Sequence, residues 1–427
     1  MRRFFQNPYN ILITMLFMLL TTSILTASSI HEITSGMVQI VKFPDILVTD
    51  YIEVAGISSA FFNSFIMGVF CLILIKLTNH KLDEKTIMII WLVCGFSFFG
   101  KNLCNSMPIV FGGYVYSKFN KEDFGNNLIY TLLGTGLSPI VSQVYFQNDK
   151  FQILGVFSGI IVGIIIGFSI IPISKSTAKF QGKYNLYNSG FAGGLLASLV
   201  MGIFRAIGIN FEAVNLWSSG NNKIIFPFLI ILSLFLIIAG ILSGECKSKQ
   251  CRIDKIKTFK NSMSDKNGHI HASYNEVKDH VYLNMGILGL FSSILMLLLN
   301  VELSGPVIGG IFTIIGFGCC GKHLKSIVPV MVGATFVGFF SIYGLSDPIV
   351  VICILFSTCL APIATNYGVI WGTIAGSLHM IFVMNTGFMH GGMNLYNNGL
   401  AGGFVVIVLI PIIESFNQHI TNKNLKT

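Results

Sequence analysis

"NLYNSGFAGG" occupies Asn185–Gly194, and "NLYNNGLAGG" occupies Asn394–Gly403. Eight of the ten positions agree across an interval of 209 residues; only Ser189 against Asn398 and Phe191 against Leu400 differ. A phrase this specific, written twice, points to a duplicated chain or to one requirement met twice.

Working outward, "GFSFFGKNLCNSMPIVFGG" from Gly95 aligns with "GFGCCGKHLKSIVPVMVGA" from Gly316 at an offset of 221, pairing Lys101 with Lys322, Pro108 with Pro329 and Gly112 with Gly333. "LSPIVSQ" from Leu137 answers "LAPIATN" from Leu360. Glycines at 155, 159, 163 and 167 fall every four residues, and Gly368, Gly372 and Gly376 are expected to answer the first three. The repeat therefore covers most of the chain. Residues 1–222 form the first membrane repeat and 223–427 the second, which includes a basic cytoplasmic loop at 244–280.

Composition identifies the solvent. With 53% hydrophobic and 11% charged residues and a mean hydropathy of +0.74, the chain cannot cover a water-facing surface, where about a quarter of residues are charged. Uncharged runs such as Ile11–Ile30 and Ile224–Ser243 suit a hydrocarbon core of ~30 Å. They are continuous rather than alternating, so they predict helices and not a barrel. Arg2 and Arg3 ahead of an apolar run resemble a signal peptide, but the length of that run and the many spans that follow favour an uncleaved first helix.

The net charge of +9 reads as topology. Eight Lys or Arg and five acids lie between Gly244 and His280, and Lys175, Lys179 and Lys183 form a short loop without acids. The positive-inside rule places these loops, Arg2/Arg3 and the Lys423/Lys426 tail in the cytoplasm of a cell-membrane protein with both termini inside. No basic patch interleaved with aromatics is present, so nucleic acid is not an expected partner. Most of the nine cysteines sit in apolar runs and read as small core residues. Cys246 and Cys251 lack further zinc-spaced ligands, and no metal or cofactor is expected.

Crossings counted from a cytoplasmic start are Ile11–Ile30 and Tyr51–Leu77, then a hairpin over Thr86–Phe119, either two short spans or a re-entrant pair. Spans at Asn127–Phe146, Phe151–Ile171, Tyr184–Gly208 and Lys223–Ser243 follow, and the second half repeats the pattern from the other face. An odd number per half makes the repeat inverted. The expected fold is all-α, polytopic and built of two inverted repeats of about six segments each, with broken or re-entrant helices and a site at their interface.

If the repeated phrase is helical from its start, Asn185, Asn188 and Ser189 share one face while Gly190, Gly194, Ser198 and Gly202 form a second, close-packing face. The amides at Asn185, Asn188, Asn394 and Asn397 are candidate solute ligands, because Asn both donates and accepts; equally, they could cap broken helices. Tyr187 and Tyr396 read as interfacial anchors. Lys101 and Lys322 are the sharper candidates. Between Gly305 and Ile413 the only Asp, Glu, Lys or Arg residues are Lys322, Lys325 and Asp347, and an intramembrane lysine is a functional hypothesis by default. At a re-entrant tip the pair would face a cavity and attract an anion; between two full spans they would sit in surface turns. Glu53 could bind a coupling cation but more simply lies at the interface, and His323 has no repeat counterpart and is not expected to hold a metal.

No phosphate loop, HExxH, GxSxG or CxxC occurs. The phrases "VTDYIEVAGISSAFFN", "FGKNLCNSMPIVFG" and "NLYNSGFAGG" resemble a bacterial membrane-protein family catalogued as domain of unknown function 1576, over nearly the whole chain. "LYNSGFAGG" and "LYNNGLAGG" also resemble, at the level of architecture, the Leu-Tyr-Gly-aromatic-Asn phrase of urea transporters, without their Leu-Pro-x-x-Thr-x-Pro-Phe signature; that likeness implies a channel or facilitator.

The expected function is a non-enzymatic transporter or channel for a small polar or anionic solute. Its expected partners are that solute and the lipid bilayer, with a homo-oligomer left open. A membrane-embedded enzyme on a lipid-like substrate would need clustered Asp or His at a membrane face. A sensor or scaffold subunit would use the basic loop and would leave the duplicated amides unexplained.

Overall fold

A computed structural model of the chain describes residues 2–146, 153–181, 184–211, 214–243 and 274–424. Among them, nine helices are long and apolar enough to cross a membrane. The protein is a polytopic, all-α membrane protein. Most of the basic loop 244–280, with Cys246 and Cys251, lies outside the described residues, as do Lys183 and Lys426.

The opening helices are α1 (Arg2–Phe5), α2 (Pro8–Thr26) and α3 (Ile30–Lys42). From there the elements run in two series of the same order. The first is α4 (Tyr51–Leu77), α5 (Glu84–Phe96), α6 (Leu103–Phe119), α7 (Phe124–Gly134), α8 (Ser138–Tyr145), α9 (Ile153–Gln181) and α10 (Asn188–Ala206). After α11 (Asn222–Ser243), the second is α12 (Tyr274–Leu298), α13 (Gly305–Gly318), α14 (Leu324–Phe339), α15 (Pro348–Ser357), α16 (Ala361–Tyr367), α17 (Val369–Thr386) and α18 (Asn397–Asn424). In both series a three-residue 3-10 turn joins the fourth and fifth helices, at Thr135–Leu137 between α7 and α8 and at Thr358–Leu360 between α15 and α16. The expected span Asn127–Phe146 is thus two half-length helices with a break inside.

Local chemistry sets the ends. Asp50, Asp83, Asp123 and Asp347 each accept a backbone N–H from the first turn of α4, α5, α7 and α15, which satisfies donors that a helix start leaves orphaned. Asn102 and Asn105 close a reciprocal capping box on α6. Gly100 and Gly321 adopt φ of 68° and 92° in the turns that precede Lys101 and Lys322. That left-handed geometry favours glycine, so the repeated Gly-Lys pair is a turn requirement as well as a charge.

The centre of the protein is α5 against α13, two repeat counterparts. Cys319 Sγ at the end of α13 donates to the Glu84 carbonyl at the start of α5 at 3.1 Å, and Gly305 at the start of α13 lies against the Phe98 carbonyl beyond the end of α5. Gly95 packs on Gly309, and the Trp91 and Phe312 rings meet at 5.2 Å between centroids. The two helices therefore run antiparallel. All residues of α13 and Thr86–Phe96 of α5 are buried. At ~1.5 Å per residue, the 13 residues of α5 reach about 20 Å, short of a ~30 Å core. The segment 86–119 is thus a hairpin whose first arm and tip are buried, while α6 leaves Met107, Phe111, Tyr114 and Phe119 exposed.

Around this centre, glycines let backbones touch. A Cβ at Gly163 would meet Pro108 and one at Gly372 would meet Pro329, while Gly167 faces the Ile109 carbonyl and Gly376 the Val330 carbonyl. Since Pro108 and Pro329 are counterparts, Gly372 and Gly376 answer Gly163 and Gly167. The expected register, in which Gly368, Gly372 and Gly376 answer Gly155, Gly159 and Gly163, is off by one turn. The spacing of four recurs along the helix, so sequence alone could not choose between turns; the partner carbonyls do.

Candidate functional site

Helices α10 and α18, which begin within the repeated phrase, cross at Gly190 and Gly399. A Cβ on Gly399 would come within 2.8 Å of Gly190 Cα. Flanking contacts are reciprocal: Gly194 faces Leu400, and Gly403 faces Phe191. The close-packing glycine face is therefore real at 190 and 194 and fades at Gly202, which has nothing within 4 Å.

The helices begin later than a fully helical phrase predicts, at Asn188 and Asn397. Asn185 and Asn394 lie before them and accept the N–H of Tyr187 and Tyr396 at 2.9 and 3.1 Å. These two amides shape the turn, and Asn185 Nδ2 also donates to Gln181 Oε1 at 2.7 Å and the Gly399 carbonyl at 3.3 Å. Asn185, Asn188 and Ser189 thus do not form one helical face, because the chain turns between the first and second. Backbone bonds then stitch the halves, Leu186 N–H to the Cys359 carbonyl and Leu395 N–H to the Gly136 carbonyl, both at 3.0 Å.

That turn delivers the tyrosines to the lysines. Lys101 Nζ donates to the Tyr396 hydroxyl at 3.1 Å, and Lys322 Nζ donates to the Tyr187 hydroxyl at 2.9 Å and to Thr358 Oγ1 at 3.0 Å. Each lysine of one half meets the tyrosine of the other. Both ammonium groups also sit over rings: Lys101 is 5.6 Å from the Phe96 centroid and Lys322 is 4.9 Å from that of Phe317, a geometry that attracts cations. Lys101 is 0% and Lys322 1% exposed, so neither occupies a surface turn. Asn63 Nδ2 donates to the Ser97 and Lys101 carbonyls, and Asn284 Nδ2 to the Gly318 and Lys322 carbonyls, at 2.6–2.9 Å. These asparagines pin the two tips in the same way.

Tyr187 and Tyr396 are therefore not interfacial anchors. The overlooked residues were these tyrosines and the Asn63/Asn284 pair; the latter carries the same 221 offset as the lysines, a signal present but unread.

A cavity of about 810 Å³ opens beside Asp83, Glu84 and Lys85 and runs inward to Tyr187 and Tyr396. Asn185, Asn188, Ser189 and Asn398 line it. Asn397 does not: its Oδ1 accepts from Thr386 Oγ1 at 2.8 Å and His390 Nε2 at 2.9 Å, within the packed α17–α18 junction. Asn394 is fully buried and is not part of the lining either. Glu53 is exposed on the first turn of α4, and His323 caps α14. No cluster of three His, Cys, Asp or Glu suited to a metal occurs among the described residues.

The far side is closed. The extended segment 45–50 bonds Leu47 N–H to the Gly392 carbonyl, Val48 N–H to the Val214 carbonyl and Asp50 N–H to the Leu216 carbonyl. The Asp50 carboxylate takes Ser218 N–H and hydroxyl at 3.0 and 2.6 Å and Gly305 N–H at 3.2 Å. Asp45 is buried, with Oδ2 held by Asn102 and Asn105.

The fold and cavity define a multi-pass α-helical membrane protein whose buried lysines are held across two repeated halves. The chain belongs to the DUF1576 family, described as a protein of unknown function, whose profile matches residues 29–206 and 259–415. No curated protein and no solved structure shows a significant match.

Proposed function

We propose that the protein is a transporter or channel that moves a small polar or anionic solute through the interface of two inverted repeats, without covalent chemistry. One observation carries this reading: the crossed pairs Lys101–Tyr396 and Lys322–Tyr187, whose two tyrosines line one cavity. A reciprocal exchange between counterparts is what a two-fold axis produces. The antiparallel packing of α5 on α13 supports an axis lying in the membrane plane, the arrangement that puts a transport site at the midplane. Taking an ammonium out of water costs several kcal/mol unless compensated. The hydrogen-bond partners of Lys101 and Lys322 are hydroxyls and not carboxylates, so a scaffold role leaves two buried charges unexplained. By the positive-inside rule the open side, with Lys76, Lys81 and Lys85, faces the cytoplasm of the cell membrane, and the 45–50 segment closes the other.

The test is uptake by proteoliposomes of a panel of small labelled anions and amides. Uptake above empty liposomes that is abolished by Lys101→Met or Lys322→Met is expected. No uptake of any member by well-folded protein, in either gradient direction, would count against transport.

A further inference from the structure

We infer that Asp45 is a proton-binding site: its carboxyl holds a proton while the far side is shut and gives it up when segment 45–50 opens to water. This goes beyond the transport reading and does not depend on which solute moves.

Two aspartates of that segment are buried, and their surroundings differ. Asp50 receives four donors on its two oxygens, the N–H groups of Ile52 and Gly305 on Oδ1 and the N–H and hydroxyl of Ser218 on Oδ2. A carboxylate so supplied can stay ionised away from water. Asp45, 0% exposed, receives Asn102 Nδ2 at 3.3 Å and Asn105 Nδ2 at 2.9 Å, both on Oδ2. Among the described residues its Oδ1 has no hydrogen-bond partner. An anionic oxygen left bare in the interior is costly. A proton on Oδ1 removes the charge while Oδ2 keeps its two amides.

The groups around it are engaged elsewhere. Ser142 Oγ of α8 accepts from the Asp45 N–H and donates to the Phe43 carbonyl, and Gln143 Nε2 donates to the Asp45 carbonyl. At the start of α4, the Tyr51 hydroxyl oxygen accepts from Asn102 Nδ2. Lys101, at the tip before α6, turns its Nζ to Tyr396 and the Phe96 ring. Tyr145 of α8 donates to the Cys104 carbonyl. His390, two residues before the Gly392 carbonyl that Leu47 N–H reaches, is bonded to Asn397. Lys42 at the end of α3 is exposed. Burial outweighs the nearby Tyr51, Ser142 and Asn105 side chains and pushes the Asp45 carboxyl up to about 7.

Placement ties that proton to movement. Through Asn102 and Asn105, which cap α6, Asp45 joins the closing segment to the Lys101 tip. The repeat answers these two amides with His323 and Ser326, so the second half has no such pair and the site belongs to one side only. In the transport reading, on which this last step rests, the proton is the coupling ion.

The experiment uses the purified full chain in detergent, with native cysteines replaced, and follows labelling of Val48→Cys by a polar thiol reagent. Val48 is 3% exposed and its N–H is bonded to the Val214 carbonyl, so labelling reports opening of the segment. Thiol reactivity itself rises with pH; each rate is therefore divided by that of the same cysteine in Asp45→Asn, which keeps the neutral form. An acid that holds its proton more tightly when buried favours the closed, folded state below its ordinary range and loses that advantage as pH rises to about 7. The ratio should climb by up to ~ten-fold per pH unit towards about 7 and level off above it. The unfolding temperature of Asp45→Asn should gain on that of the parent over the same window. Asp45→Ser, also uncharged, serves if Asp45→Asn does not fold. A flat ratio, or a difference in unfolding temperature independent of pH, overturns the inference. Labelling slowed by sodium but not by choline in the parent alone puts a metal cation on Asp45 and overturns the proton. None of these readings uses a solute, so failure of the uptake panel removes only the coupling role.

Discussion

Lys101 Nζ lies 3.1 Å from the hydroxyl of Tyr396, a residue 295 positions later in the chain. The counterpart pair, Lys322 and Tyr187, is 135 positions apart and 2.9 Å long. Neither half holds a complete pair of its own, so the site is a property of the interface.

The pair should show energetic coupling. Tyr396→Phe leaves the ammonium with rings alone and should cost ~1–3 kcal/mol, the usual penalty of an unmet buried group. Lys101→Met in the same chain should recover part of that loss. In a double-mutant cycle measured by unfolding in mixed micelles, a coupling of about 1 kcal/mol or more is expected; additivity within ~0.5 kcal/mol would show that the contact does not bind the halves together.

The tip asparagines should matter equally in both halves. Asn63→Ala and Asn284→Ala each strip the donor from two buried carbonyls and should each lower stability by ~1–3 kcal/mol. A loss confined to one of them in thermal unfolding would mean that the two tips are held differently.

Glycine positions separate contact from habit. A Cβ at Gly167 or Gly376 would stand 1.9 Å from a carbonyl oxygen, whereas at Gly202 it would meet nothing within 4 Å. Gly167→Ala and Gly376→Ala should destabilise by ~1–3 kcal/mol through overpacking, and Gly202→Ala should stay within ~0.5 kcal/mol. Equal losses at all three in melting experiments would contradict the packing register.

Thiol labelling reads the access. In a background without native cysteines, Asn188→Cys should react with an impermeant reagent from one side only, the cytoplasmic one under the proposed orientation. Cysteines at 397, 101 and 322 should react slowly from both sides. Fast labelling at 101 from either face would put the tip at a surface, against its 0% exposure.

Much of this fold is legible in the sequence because hydrophobic runs and a duplicated phrase are strong signals. Tyr51–Leu77 was expected as a span and is α4, long and apolar enough to cross and kinked at Gly56, and the pairing of Lys101 with Lys322 is matched by their shared Gly-Lys turns. What the sequence hides are the breaks. An Asx turn at Asn185 uses the same residue as a helical face would, and only the Tyr187 N–H tells them apart. Tyrosine near an apolar run reads as an anchor until a distant lysine is placed beside it. The glycine register failed for the reason that made the stripe visible, its own periodicity.

The exchange of tyrosines between halves also bears on synthesis. Lys101 enters the membrane long before Tyr396 has been translated, and the backbone of the turn at Gly136 waits for Leu395 to the same end. The nascent first half must therefore be harboured with an unshielded cation in it until nearly the last helix arrives. Insertion of this protein is accordingly a problem of timing, and truncations that stop before residue 396 should be handed to quality-control proteases rather than accumulate as stable halves.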